Sequence, residues 1–340
     1  MMDGIKTGRR SVTGRDGVYF LAEIGLNHNG NLRLALDMVR SAASCGANGI
    51  KLQSYFTEEF LSREYPAFDF FKSCELSVEE HREIAACCKE LGVDFISTPL
   101  CRSWVPILDE IGVAAIKIAS SDLTFYDLIA TAASTEKPLI ISTGASSNEE
   151  ISALLDRDFM QGVELVLLHC VSNYPPRLED INLRCIPAMN GKFSVPVGIS
   201  DHSPGISISV GAVALGAVFV EKHFTISHEL DGPDQKISME PHEFRDMICA
   251  CDDVFRSLGT AEKKPAAREA DFLKIARRGL YLRRSVEKGE PLSSENAVFL
   301  RPSNEISSAI VRLDGGSVWK FSRSLPAGPI SMSDIEGDSE

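Results

Sequence analysis

From Val18 onward the chain alternates short, near-continuous apolar runs with amphipathic stretches whose apolar residues recur at i, i+3 and i+4. Polar or glycine-bearing corners separate the two, which predicts strands and helices in regular alternation. The strand-like runs are VYFLAEIG from Val18, GIKLQ from Gly49, VDFISTP from Val93, AAIKIAS from Ala114, PLIISTG from Pro138, ELVLLHC from Glu164, VPVGIS from Val195 and VFVEKHF from Val218. Helices are predicted over 32–44, 77–91, 103–111, 125–134, 148–155, a short stretch near 180–189, 206–215 and 241–258. Ser77, with Glu80 three residues on, and Asn148, with Ile151 packing inward, carry the chemistry of helix N-caps.

Eight apolar strands, each followed by a helix, predict a closed (β/α)8 TIM barrel rather than an open doubly wound sheet. An open sheet usually stops at five to seven strands and often begins with a glycine fingerprint, which is absent here. In such a barrel the chemistry sits at the C-terminal strand ends. Those ends carry Glu23, Lys51 with Gln53, Thr98, Lys117 with Ser120, Ser142 with Thr143, His169 with Ser172 and Tyr174, Ser200 with Asp201 and His202, and Glu221 with Lys222 and His223. Side chains alternate with period two, so Lys51 and Gln53 share a face, as do Ser200 and His202, and Glu221 and His223. Solvated rim polarity explains any one of these residues but not their presence at eight strand ends.

Composition narrows the class. The 340 residues suggest two domains, and 44% hydrophobic content excludes a disordered chain. With 35 basic and 48 acidic side chains the net charge is −13, which argues against nucleic-acid or anionic-membrane binding as the main task. Any bound anion needs a local cationic pocket. Met1 to Gly17 is polar, and no apolar run reaches the roughly 18 residues of a spanning helix, so a cytoplasmic protein is expected. The nine cysteines form no C-x-x-C pair and read as reduced packing residues. The barrel is assigned to 1–260, a charged, Ala-rich linker to 261–275, and a small β-rich domain to 276–340, with short strands in LYLRRSV, AVFLR and SVWKFSR. Arg277, Arg278, Arg283 and Arg284 read as a solvated strand face.

Two lysines and a ring of hydroxyls suit a small dianionic ligand, with Lys51 and Lys117 neutralising charge while Ser120, Ser142 and Ser200 donate hydrogen bonds. His202 and His223, on neighbouring strands, are either ligands for a divalent metal or hydrogen-bonded core residues, and the nearby Asp201 and Glu221 favour the metal. Glu23, the lone carboxylate on the first strand, is a candidate general base.

The ordered motifs Ala22-Glu23-Ile24-Gly25-Leu26-Asn27-His28-Asn29-Gly30, Lys51-Leu52-Gln53, Ser97-Thr98-Pro99, Lys117-Ile118-Ala119-Ser120, Ser142-Thr143-Gly144, His169-Cys170 through Tyr174-Pro175, Gly198-Ile199-Ser200-Asp201-His202, Glu221-Lys222-His223-Phe224-Thr225 and Gly232-Pro233-Asp234 resemble the sialic acid synthase family. Lys288-Gly289-Glu290, Glu295-Asn296 and Arg301-Pro302 resemble that family's C-terminal antifreeze-like (SAF) domain. The resemblance implies condensation of phosphoenolpyruvate with the open-chain aldehyde of an N-acyl mannosamine-type sugar, with release of phosphate. It implies that Lys51, Thr98, Lys117, Ser120, Ser142, Ser172 and Ser200 hold phosphoenolpyruvate, and that His202 and His223 bind Mn²⁺, or else Mg²⁺ or Co²⁺. Gln53, Tyr174, Glu221 and Asp234 would contact the sugar, joined by Arg301 from the partner subunit of a homodimer whose small domain caps the neighbouring barrel. Glu23, Lys51 and Glu221 would carry the catalysis. Two departures stand out. Ser172 replaces an Asn found in some members, and Ser303-Asn304-Glu305 follows Arg301-Pro302 where a Gly-x-Gly turn is usual, so the same positive-φ turn would be costly. The segment 54–74 is expected to border the sugar pocket. Competing readings are another phosphoenolpyruvate-dependent 3-deoxy keto acid synthase, which needs a second phosphate site, and a non-catalytic carbohydrate-binding paralogue, which leaves the strand-end Lys, Glu and His idle.

Overall fold

The computed structural model describes residues 17–304, 306–313 and 319–337, together with the backbone of 6–7 and 10–11. Eight parallel strands close into a barrel: β1 Tyr19–Gly25, β2 Gly49–Ser54, β3 Asp94–Pro99, β4 Ala115–Ile118, β5 Leu139–Ser142, β6 Leu165–Cys170, β7 Val197–Asp201 and β8 Phe219–His223. Closure runs through β8 and β1, with Phe219 opposite Tyr19 and His223 opposite Glu23. The connecting helices are α1 Leu32–Ser44, α2 Val78–Leu91, α3 Trp104–Ile111, α4 Tyr126–Ala133, α5 Asn148–Leu155, α6 Cys185–Phe193, α7 Ser207–Ala214 and α8 Pro241–Ser257. The expected TIM barrel is the observed one.

Period-two alternation builds the interior in layers. Tyr19, Leu21, Ile96, Ala115, Ile140, Val166, Leu168 and Phe219 form an inner apolar cluster distinct from the large core between strands and helices. Two residues further along the same strands come Glu23, Thr98, Lys117, Ser142, Cys170 and Glu221, so an apolar floor lies directly beneath a polar layer. Gly49 and Gly198 complete the floor. A Cβ on Gly198 would sit 2.6 Å from Phe219 Cβ and 2.8 Å from Leu168 Cδ2, and one on Gly49 would sit 3.0 Å from Leu21 Cδ1. The Tyr19 ring, stacked on Phe219 at 4.8 Å, occupies the space a side chain at Gly49 would need.

The capping box of α2 forms as expected, with Ser77 N–H donating to Glu80 Oε2 at 2.7 Å and Glu80 N–H donating to Ser77 Oγ at 3.3 Å. At α5 the cap falls on Ser147 rather than Asn148. Ser147 and Glu150 make the same reciprocal pair, and Asn148 becomes the first helical residue.

The chain divides into two compact units, Met1–Gly259 and Thr260–Glu340. The second contains a three-stranded antiparallel sheet of β9 Gly279–Leu282, β10 Ala297–Leu300 and β12 Gly328–Pro329, and a pair formed by β11 Lys320–Phe321 and β13 Ile335–Glu336. Leu280, Ile306, Val311, Phe321 and Ile330 are among the buried residues of its own small core. The stretch expected as a linker holds a helix, Ala270–Ala276, preceded by a 3-10 turn, Ala267–Glu269, in which Glu269 accepts from Ala266 N–H at 2.6 Å. Of the predicted strand SVWKFSR, residues 317 and 318 lie outside the described residues, as does Glu305. The turn after Arg301 needs no positive φ at Ser303 or Asn304. Asn304 fixes it instead, its Oδ1 accepting from Leu280 N–H at 2.8 Å and its Nδ2 donating to Ile330 O at 2.8 Å.

Candidate active site

A cavity of about 390 Å³ opens at the C-terminal end of the barrel. Its floor is cationic and hydroxylic. Lys51 Nζ donates to Thr98 Oγ1 at 3.3 Å, lies against the Glu23 carboxylate and stands 3.5 Å from Glu221 Oε1. Lys117 Nζ donates to Ser142 Oγ at 2.6 Å and to Ile118 O at 3.1 Å, and is 3.9 Å from Glu221 Oε2. Ser200 Oγ donates to Glu221 Oε1 at 2.9 Å. Ser120, Ser172 and Gln53 also border the space. Higher up lie Tyr174, His202, His223 and Asp234. The fourteen barrel residues to which the family resemblance gives a role all line this cavity, whereas Thr143, His169, Asp201 and Lys222 of the same strand ends do not; Arg301, exposed just past β10, belongs to the other unit. A larger groove of about 770 Å³ lies by the opposite ends of β3 and β4 and contains none of these groups.

The floor charges are close to balanced. Burial pushes the Lys51 ammonium down to about 8, against the pull of Glu221. The Glu23 carboxylate in direct contact adds a second opposing charge, so the ammonium form persists at neutral pH. Burial alone would raise Glu221, but the fields of Lys117 and Lys51 and the Ser200 hydroxyl outweigh it and hold this carboxyl below the usual range. Apart from the Lys51 ammonium, no group among the described residues bonds to either Glu23 oxygen. Space for this carboxylate depends on Gly25, which takes φ +54° at a register shift; a Cβ there would come 2.9 Å from Glu23 Oε1.

The imidazoles sit together, ring centroids 5.4 Å apart, with Tyr174 4.1 Å from His202. His202 Nδ1 lies 3.1 Å from Val171 O, which assigns the proton to Nδ1 and leaves the Nε2 lone pair free of it. His223 Nδ1 is buried with no hydrogen-bond partner among the described residues, 4.0 Å from Asp234 Oδ2. Burial lowers both imidazoles, favouring the neutral form. Asp201 is a correction to the sequence reading. It faces outward, paired with Lys222 at 2.8 Å and accepting from Ser203 and Ser209, because alternation puts it on the opposite face from Ser200 and His202.

Residues 38–263 match the NeuB family model, a span that holds every barrel residue of this cavity except Glu23. The chain belongs to the NeuB family. An uncharacterised protein of Methanocaldococcus jannaschii is 43% identical over 308 residues, 90% of this chain and 91% of that one. The N,N'-diacetyllegionaminic acid synthase of Legionella pneumophila is 34% identical over 351 residues, covering 96% of both chains. The crystal structure of an N-acetylneuraminic acid (sialic acid) synthetase from Leptospira borgpetersenii in complex with citrate superimposes with a TM-score of 0.74 at 35% identity, over 79% of this chain and 94% of that one.

Several groups in this NeuB cavity escaped the sequence reading. Cys170, buried and a free thiol as expected of the cysteines, also lines it. Phe60 and Phe71 reach it from the 54–74 segment, expected at the pocket without these residues being named, and Leu100 reaches it from just past β3. Asn27 and Gln235 form a buried latch behind it: Asn27 Nδ2 donates to Phe224 O at 2.9 Å and Ser238 Oγ at 2.8 Å, and Gln235 Nε2 donates to Asn27 O at 2.8 Å. Ser238 Oγ in turn donates to Asp234 O at 2.6 Å, which ties the Asp234 backbone to the loop after β1. These partners lie about two hundred positions apart, so no local pattern pointed to them.

Asp122, two residues beyond Ser120, has a buried Oδ2 without a hydrogen-bond partner among the described residues, and burial raises its carboxyl to about 6 while Lys117 pulls the other way. A carboxyl raised on folding binds its extra proton between its unfolded value of 3.8 and about 6, so its cost to stability grows as pH rises through that window. Asp122→Asn should therefore melt a few degrees above the unsubstituted protein at about pH 7.5 and level with it near pH 4. Equal shifts at both pH values in a thermal scan would refute this.

Proposed function

We propose that this NeuB protein is a nonulosonic acid synthase that condenses phosphoenolpyruvate with an N-acyl mannosamine-type sugar and releases phosphate by C–O cleavage. One observation carries the reading: two buried lysines and a ring of hydroxyls form an anion floor directly below a pair of neutral imidazoles facing the same cavity.

Lys51, Lys117, Thr98, Ser120, Ser142, Ser172 and Ser200 hold the phosphate and carboxylate of phosphoenolpyruvate, exchanging their mutual hydrogen bonds for bonds to the ligand. Gln53, Tyr174, Glu221 and Asp234 hold the sugar. A divalent ion, manganese first and magnesium or cobalt as alternatives, fits the donor set: two imidazoles in the ligating form, one with an orphaned buried nitrogen beside a carboxylate. No group of three or more His, Cys, Asp or Glu side chains among the described residues is arranged to hold an ion, so water and substrate would complete its coordination. When bound, such an ion supplies Lewis-acid polarisation of an aldehyde oxygen.

In the reaction, C3 of phosphoenolpyruvate forms a bond to the aldehyde carbon, whose oxygen takes up a proton. Water then adds to the electron-poor C2, and the C2–O bond to phosphate breaks to leave the keto acid. Glu23 is placed to accept the proton from that water, since among the described residues only the Lys51 ammonium engages its carboxylate. Lys51 stabilises the carboxylate that Glu23 presents, and Glu221 sets a negative charge 3.5 Å from Lys51 and 3.9 Å from Lys117.

The same reading takes the C-terminal unit as an SAF domain that caps the partner barrel in a cytoplasmic homodimer, with Arg301 reaching the sugar. What supports it is the exposed Arg301 next to a turn stiffened by Asn304, and nine cysteines that are all free thiols.

The test is phosphate release from phosphoenolpyruvate with Mn²⁺ against N-acetylmannosamine, its 6-phosphate and 6-deoxy diacetamido sugars. Release with none of them overturns the proposal. Glu23→Gln should lower turnover about a hundredfold or more while phosphoenolpyruvate affinity stays within a few fold, and near-normal turnover would remove Glu23 from the chemistry.

A further inference from the structure

Asp201 and Lys222 stand opposite each other on the neighbouring strands β7 and β8, each one residue before an imidazole that faces the cavity. Both are almost completely buried, and neither lines the cavity. The Lys222 ammonium donates to Asp201 Oδ2 at 2.8 Å and to Ser203 O at 2.5 Å. Asp201 Oδ1 accepts from Ser203 N–H at 2.9 Å and from Ser203 Oγ at 2.6 Å, and Oδ2 also accepts from Ser209 Oγ on α7 at 2.7 Å. The N–H, the carbonyl and the hydroxyl of Ser203, the residue after His202, are thus all bonded to this one ion pair.

Stability alone does not call for this arrangement. Two charges taken out of water lose about as much hydration as their attraction returns, and an apolar pair of similar volume is often as stable or more so. What an apolar pair cannot supply is direction, and direction is what the backbone around His202 lacks. His223 lies within β8, opposite Glu23 of β1, and its carbonyl accepts from Met239 N–H at 2.8 Å. His202 lies one residue past the end of β7, where no ladder pair holds it. Its ring is tied to the backbone only through Nδ1, 3.1 Å from Val171 O. The bonds of the ion pair to Ser203 supply the missing restraint, and they run from the strand that carries the second imidazole.

We infer that Asp201 and Lys222 are positioning residues: they fasten the backbone that carries His202 to the strand that carries His223, and so fix the spacing at which the two imidazoles share one divalent ion. This rests on the metal reading above. An ion held by only two side chains depends on both being set in advance, because the ion itself supplies few bonds to pull them together. Loss of groups that orient metal ligands from outside typically weakens metal affinity by about tenfold to a hundredfold.

The experiment titrates Mn²⁺ into the protein without substrates and reads free Mn²⁺ by electron paramagnetic resonance, with the melting midpoint of each variant recorded by calorimetry. Asp201→Ala with Lys222→Met removes both charges together, so the double variant should stay folded while its Mn²⁺ Kd rises by about tenfold to a hundredfold. Its phosphoenolpyruvate affinity, measured without metal, should stay within about threefold, because the two floor lysines take no support from this pair. Ser209→Ala breaks a bond to Asp201 but leaves those to Ser203, and its Mn²⁺ Kd should stay within about threefold of the unsubstituted protein. An unchanged Mn²⁺ Kd in the folded double variant overturns the inference and leaves the metal reading standing. So does an equal loss of phosphoenolpyruvate affinity, or an equal loss of Mn²⁺ affinity in Ser209→Ala. Absence of Mn²⁺ binding by the unsubstituted protein removes both. If the double variant does not fold, Lys222→Gln, whose shorter side chain gives up the bond to Ser203 O, decides: its Mn²⁺ Kd should rise by about tenfold, and no change overturns the inference.

Discussion

Lys51→Met should reduce phosphate release from phosphoenolpyruvate by about a thousandfold, some 4 kcal/mol of transition-state stabilisation, the upper end of what losing one aimed charge or donor costs. Lys51 is the cation against Glu23, stands 3.5 Å from Glu221 and donates to Thr98. Its removal deprives the incoming anion of one of two floor charges and leaves both carboxylates without that cation. Glu221 is held low partly by Lys51, so its carboxyl should rise in the variant and the acid limb of the pH–rate profile should move toward neutrality. Calorimetric titration should show weakened phosphoenolpyruvate binding, because the same ammonium serves ground state and reaction. Turnover within tenfold of the unsubstituted protein would show that the floor is not where the anion binds.

Asp201→Ala should destabilise the barrel by about 3–5 kcal/mol, lowering the melting midpoint by roughly 10 °C. Lys222 is 1% exposed. Its ammonium donates to Asp201 Oδ2 at 2.8 Å and Ser203 O at 2.5 Å, and the remaining Asp201 oxygen accepts from Ser203 N–H at 2.9 Å and Ser203 Oγ at 2.6 Å. Removing the carboxylate strands a buried cation, whereas removing both charges does not. The double variant Asp201→Ala with Lys222→Met should therefore recover most of the lost midpoint. A double variant no more stable than the single one, by differential scanning calorimetry, would sink this account.

The Asp201 pair also shows where sequence reasoning stopped. Period two separated Ser200 and His202 from Asp201, yet a carboxylate beside a histidine still suggested a metal neighbour until the structure paired it with Lys222 on the outer face. The cap of α5 moved by one residue for a similar reason: Asn148 and Ser147 both have the chemistry, and the reciprocal bond with Glu150 selects Ser147. The turn after Arg301 looked costly without glycine, but Asn304 holds it through Leu280 and Ile330, contacts that span more than twenty positions.

The strand boundaries, the closed barrel and thirteen of the fourteen cavity residues were legible because each follows from a local property repeated eight times, an apolar run, a period-two face and a polar strand end; Asp234 came only from the family motif. Tertiary structure alone decided the rest. It set Glu23 against Lys51, balanced Glu221 between two lysines and turned Asp201 away from the imidazoles. It also latched Asn27 to Gln235 and brought Phe60 and Phe71 together. Which charges compensate one another, and which buried atoms stay unsatisfied, depends on distances between residues far apart in the chain, and periodicity along the chain carries no information about those distances.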